Sequence, residues 1–259
     1  MLIFELTKPG SHLHYEDREV GWKFERLLNH LETAFYDANV SLNLFIAERE
    51  NGDSFVDDSI NQRQEDFQRR RVIEAQVIQD LGLEPYEDYD KIMVEVDARL
   101  QKEKWSKGVV PINHRHRLIF LYAKAFLYAL DAIDKFLKVL SEEKDAPKII
   151  KELHAKIGVE FPNLRGVRNS AQHLEDRARG IGVGKVPLVL QPMDNGFVVA
   201  PQGALMLSNL SDTRLGYTMA NGHYGEVDIS EESMSKITII LQEVFNSFPW
   251  KGFPQHLPQ

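Results

Sequence analysis

The chain has 259 residues, 31 Lys and Arg against 39 Asp and Glu for a formal charge of −8, 43% hydrophobic residues and no Cys. That length and apolar content allow a substantial core and exclude a disordered or collagen-like chain. The lack of Cys removes thiolate nucleophiles, zinc–thiolate fingers, iron–sulfur clusters and disulfides together, which fits a reducing, cytoplasmic setting. The acidic total argues against wholesale coating of nucleic acid and leaves room for a local basic face.

Lys8 and Pro9 fall where the apolar core of an export signal would run, so the reading is of a protein retained where it is made. From Val20 to about Ile181 the apolar period is helical. Phe24, Leu27, Leu28, Leu31, Phe35, Leu42, Phe45 and Ile46 recur at steps of three, four and seven, and Asn51-Gly52 is a stop signal, which predicts one long first helix. A second is expected from Ser54 or Phe55 to Leu81, bearing Arg63, Arg69, Arg70 and Arg71, its polar midsection turned to solvent or to a partner. A third runs from Pro85 to about Trp105 with Tyr86, Tyr89, Ile92, Val96 and Leu100 inward.

A central helix follows from about Asn113 to Leu140. Its segment Leu118 to Leu140 approaches membrane-span length but carries Lys124, Asp131, Asp134, Lys135 and Lys138 along one face, which predicts an amphipathic core helix and no membrane partner. A short helix covers Ala146 to about Ile157. The last of this half is Phe161 to Ile181, with Leu164, Val167, Ala171, Leu174, Ala178 and Ile181 inward.

After Gly180 the pattern turns to period two. Three runs, Ala204 to Leu210, Arg214 to Ala220 and His223 to Ile229, are separated by Ser-Asp and by Asn221-Gly222, a strong hairpin signal, and predict an antiparallel meander. Ser230 followed by Glu231 and Glu232 starts a closing helix that ends at Pro249. The fold class is therefore mainly α, with a small C-terminal β-meander and closing helix. Residues 1–181 form a helical core, and residues 182–259 pack on it as part of one structural unit.

The most informative hexapeptide is Arg168-Asn169-Ser170-Ala171-Gln172-His173. At about 100° per residue, a helix with Val167, Ala171, Leu174 and Ala178 inward turns Asn169, His173, Asp176 and Arg177 outward, with Arg168 flanking them. That groups a proton-transfer side chain with cations suited to a phosphate. Arg165, Arg168, Arg177 and Arg179 make the segment locally basic. The same outward polar residues also suit an ordinary surface helix. An Arg followed directly by Asn, with His five positions after the Arg, is expected by chance roughly 0.02 times in a chain of this composition.

This arrangement of Arg, a polar residue and a following His on the last core helix of an all-α bundle resembles the signature of the HEPN superfamily (higher eukaryotes and prokaryotes nucleotide-binding domains). The resemblance covers about Val20 to Ile181. It implies an antiparallel helical bundle and a homodimer whose two motifs line one cleft. The implied activity is a metal-independent endoribonuclease, with a role in defence or stress response. Carried over, His173 shuttles the proton of the 2′-OH or the leaving 5′-oxygen, Arg168 stabilises the phosphorane charge, and Asn169 orients the pair. Arg165, Arg177 and Arg179 would then hold RNA, and Arg115 and Arg117 would form a basic rim along its path. No cofactor is called for. The alternative is a non-catalytic HEPN-like module for dimerisation or for binding a nucleotide or an antitoxin-like protein partner.

Other motifs carry less. Gly180-Ile181-Gly182-Val183-Gly184-Lys185 invites a phosphate-loop reading, but Arg179 stands where the first Gly belongs and Val186 replaces Ser or Thr, so a helix C-cap is the better reading. The pairs His12/His14 and His114/His116 have no carboxylate at a recognised ligand spacing, and no metal is expected.

Overall fold

In the computed structural model the backbone is described for residues 1–53 and 55–259, and side chains for residues 1–50 and 63–259. Among the described residues no helix is long and apolar enough to cross a membrane. The chain divides into two compact units: unit one holds Met1–Phe45 and Phe120–Gln259, unit two Ile46–Ile119. Both boundaries fall inside helices, α1 (Arg18–Asp53) and α4 (Ile112–Glu142). The C-terminal third belongs to unit one.

Unit one is built on the two long helices. In α1, Phe24, Leu28, Leu31, Phe35, Leu42 and Phe45 are buried as the period requires, and in α4 so are Phe126, Leu127, Leu130, Ile133, Leu137 and Leu140. Helix α5 (Ile149–Glu160) packs on the closing helix α8 (Glu231–Ser247). The N-cap Ser230 accepts the Ser233 amide at 3.2 Å. Next come α6 (Leu164–Gln172) and the one-turn α7 (Leu174–Ala178). The predicted meander is an antiparallel sheet of β5 (Asn209–Ser211), β6 (Arg214–Thr218) and β7 (Tyr224–Asp228), with Leu215 opposite Val227.

Gly222 in the β6–β7 turn has φ +85°, and a Cβ there would lie 1.8 Å from the Val189 carbonyl oxygen. The Asn-Gly pair thus serves a close backbone approach as well as a reversal. A second hairpin joins β3 (Met193–Asp194) to β4 (Val199–Ala200). Two further antiparallel pairs unite the chain ends: β1 (Leu6–Lys8) with β9 (Gln255–Leu257), and β2 (His12–Leu13) with β8 (Trp250–Lys251). Strands of two and three residues are too short to show a period, so sequence patterning misses them.

In unit two, α2 (Phe55–Leu81) folds back on α3 (Tyr89–Ser106) around Ile73, Val77, Ile92, Val96 and Leu100. Arg69 to Glu103 at 2.8 Å and Arg99 to Asp80 at 2.5 Å lace the hairpin, as do Arg70–Asp97 and Lys104–Asp66. The expectation that Tyr86 and Tyr89 point inward is corrected: they are 97% and 57% exposed. The helix starts only at Tyr89, so Tyr86 lies before it and Tyr89 is its first residue, and burial begins at Ile92 and continues through Val96 and Leu100.

Candidate functional site

Three surfaces compete for the short helix α6. Leu164 and Val167 enter the core, while Gly166 faces the sheet, where an added Cβ would lie 2.3 Å from Met219 Sδ. Ser170 is fully buried, and Arg168 turns to α4. The buried arc of α6 is therefore wider than one apolar stripe, because it packs on β6 and β7 as well as on helices. On the remaining side Arg165 and Gln172 are exposed and Asn169 is half-buried.

The helix expected to continue to Ile181 breaks at His173, whose φ −112° and ψ 46° are non-helical although its amide still donates to Asn169 O at 2.9 Å. Directions computed across the break do not hold. Ala178, expected inward, is exposed. Arg177, expected outward as an RNA contact, is 5% exposed; its Nε approaches Ser170 Oγ at 3.4 Å and Nη1 donates to the Ile181 carbonyl. A buried guanidinium spent on those acceptors holds the turn after α7 instead of facing a ligand. Gly180, at φ +67°, ends α7 as the C-cap reading of this segment requires. Gly182 then donates to Val186 O and Leu188 to Gly180 O, a closed turn rather than a phosphate cradle.

Arg168 Nε donates to Asp131 Oδ1 at 2.7 Å, with the two side chains only 12% and 7% exposed. Its Nη1 donates to Gln172 Oε1 at 2.8 Å, and Lys135 reaches the other oxygen of Asp131 at 2.7 Å. Two fixed acceptors orient the guanidinium plane. The phenol of Tyr128 is electrostatically coupled to this group. Burial chiefly raises its pKa, with Tyr217 and Asp131 adding to the rise and Arg168 opposing it.

Asp131, Gln172 and Tyr128 are the residues that sequence reasoning missed. A signal existed: with Leu127 at zero, Asp134 falls at about 340° and Asp131 at about 40°, inside or beside the arc of Leu130 and Leu137. Two carboxylates of that charged face are tied to the following helices, Asp131 to Arg168 of α6 and Asp134 to His154 of α5 at 3.1 Å.

His173 is exposed at the α6–α7 junction, with Nδ1 3.7 Å from Glu175 Oε1. His173, Glu175 and Asp176 can bring one ligand atom each within 4.8 Å of one another. Asp176 is already committed to Arg179 at 2.5 Å, and the cluster is open to solvent. His12 and His14 lie exposed at and just after β2, and His114 and His116 are exposed on the first turns of α4. Arg165 and Arg179 of unit one are exposed; in unit two Arg117 is exposed and Arg115 half-buried.

Chemically, the arrangement offers one solvent-facing imidazole beside a carboxylate and, one turn earlier on the chain, a guanidinium held in a fixed orientation. Comparison of the chain with protein-family models, with curated proteins and with solved structures found no match.

Proposed function

We infer that the protein is a HEPN-like, metal-independent endoribonuclease acting as a homodimer. The observation that carries this reading is the break at His173 following a guanidinium immobilised by Asp131 and Gln172. Cleavage of RNA by its own 2′-OH needs a base for that proton, an acid for the leaving 5′-oxygen and a cation for the growing charge on phosphorus. His173 and its copy from a second chain take the two proton-transfer roles. Arg168 takes the third, with Asn169 beside it, and Arg165 and Arg179 hold flanking phosphates. One chain supplies a single imidazole at the motif, which is why the reading requires two chains. The experiment is cleavage of single-stranded RNA in EDTA by the wild type and by His173→Ala. The wild type should cut, and the variant should be slower by at least about a hundredfold.

A second reading has its own observation. Because the Arg168 charge is matched by nearly buried Asp131, the pair also suits a structural tie between α4 and α6 in a non-catalytic module that binds a nucleotide or an antitoxin-like protein. Folded, dimeric wild type that leaves RNA intact would favour it.

A further inference from the structure

A groove of about 380 Å³ lies between α1 and α4 within unit one. Its floor is methyl groups: Ala125, Ala129 and Ala132 recur at steps of four and three along α4, so no long side chain fills the space above them. Tyr36, Asp37 and Val40 line it from α1, and Tyr128 from α4. Val40 and Tyr128 are 47% and 36% exposed, so the groove presents apolar surface to solvent.

The ring of Tyr36 is fixed by its hydroxyl, which donates to Glu32 Oε1 at 2.8 Å. Burial and the Glu32 carboxylate keep that phenol neutral far into the alkaline range. Arg168, whose charge acts on the Tyr128 phenol, is paired with Asp131. Asp37 is exposed and, among the described residues, stands in no ion pair. The groove therefore combines two neutral electron-rich rings, an alkyl floor and one exposed carboxylate.

That combination selects its occupant. A ring face attracts a cation through its quadrupole, most strongly when the cation carries enough alkyl surface to leave water readily, and a carboxylate at the rim supplies the counter-charge. A whole subunit is too large a partner. Three turns on two helices offer on the order of 300 Å², against roughly 800 Å² per partner for a stable dimer. The volume matches the lower end of small-ligand sites, about 300 to 1,000 Å³.

We propose that the α1–α4 groove is a binding site for an alkylated ammonium group, with Tyr36 and Tyr128 as its aromatic walls and Asp37 as its counter-ion. The group comes either from a free amine or from a methylated lysine of a protein partner. The groove includes neither Arg168 nor His173; Tyr128, which feels the Arg168 charge, borders both, and the amine site does not rest on the ribonuclease reading.

The test is calorimetric titration of the full chain with choline, with its neutral isostere 3,3-dimethylbutan-1-ol, and with a short trimethyllysine peptide. Choline should bind one to one, the neutral isostere at least about tenfold more weakly. Asp37→Asn and Tyr128→Leu should each weaken choline by at least about tenfold, while Tyr128→Phe, which keeps the ring, stays within about threefold. Peptide binding at least about tenfold tighter than choline assigns the group to a protein partner; the converse assigns it to a free amine. Equal binding of choline and the isostere, no binding of either cation at about 10 mM, or an Asp37→Asn variant of unchanged melting and unchanged affinity overturns the proposal.

Discussion

Replacing Asp131 by Asn leaves the shape of the α4–α6 contact nearly intact and removes the charge that faces Arg168. Breaking a buried ion pair from one side costs about 3 to 5 kcal/mol, because the surviving charge stays desolvated. Here Arg168 keeps its bond to Gln172 and a 12% opening to solvent, and Lys135 is free to swing outward. The lower end of the range applies, about 3 kcal/mol. For a chain of this size that is about 6 to 12 °C in melting temperature, read by scanning calorimetry. Arg168→Leu should cost less, since Asp131 retains Lys135. The double change Asp131→Leu with Arg168→Leu should return to within about 1 kcal/mol of wild type, because the one charge that loses its partner, Lys135, is 55% exposed. An Asp131→Asn variant that melts within about 1 °C of wild type would refute the reasoning, as would a double variant as unstable as the sum of the singles.

Three further outcomes follow from the packing and electrostatics. Arg177→Ala should lose about 2 kcal/mol in urea unfolding, since it leaves Ser170 Oγ and the Ile181 carbonyl without their donor, whereas Arg165→Ala on the exposed side should stay within about 0.5 kcal/mol. Gly222→Ala should lose at least about 2 kcal/mol, because the new Cβ meets the Val189 carbonyl and φ is positive; unchanged melting would mean the turn is arranged otherwise.

Stability should also fall in alkali. Tyr15, Tyr36, Tyr128 and Tyr224 all have pKa values raised, chiefly by burial, so folding holds protons that the unfolded chain releases near pH 10. That contribution is complete below about pH 10 and is lost as pH climbs toward the folded values. Absorbance at 295 nm should show part of the tyrosine titrating late and together with unfolding. All tyrosines titrating normally near pH 10 would contradict it.

Much of this fold was legible from the spacing of apolar residues. The bounds of α1, α4 and α8 lie within a few residues of the expected ones because each buries one continuous stripe, and Ser230 announces its cap. The site region was less legible for a physical reason. Helix α6 is buried on three sides, so Gly166, Ser170 and Arg168 serve packing where a two-sided pattern assigns them to solvent or to a site rim. The break at His173 has no Gly or Pro to announce it, and it moved Arg177 from the outward face to the interior. The strand pairs joining the chain ends depend on contacts more than 200 positions apart, which no local pattern carries.

The central claim, that Arg168 and His173 cut RNA by internal attack of the 2′-OH, is tested most directly by mass spectrometry of the ends of RNA incubated with the protein in EDTA. The prediction is new 2′,3′-cyclic phosphate ends that appear with wild type and vanish with His173→Ala while that variant melts within about 1 kcal/mol of wild type. RNA that stays intact with folded, dimeric wild type at every salt concentration, or ends that form equally well without His173, would contradict it.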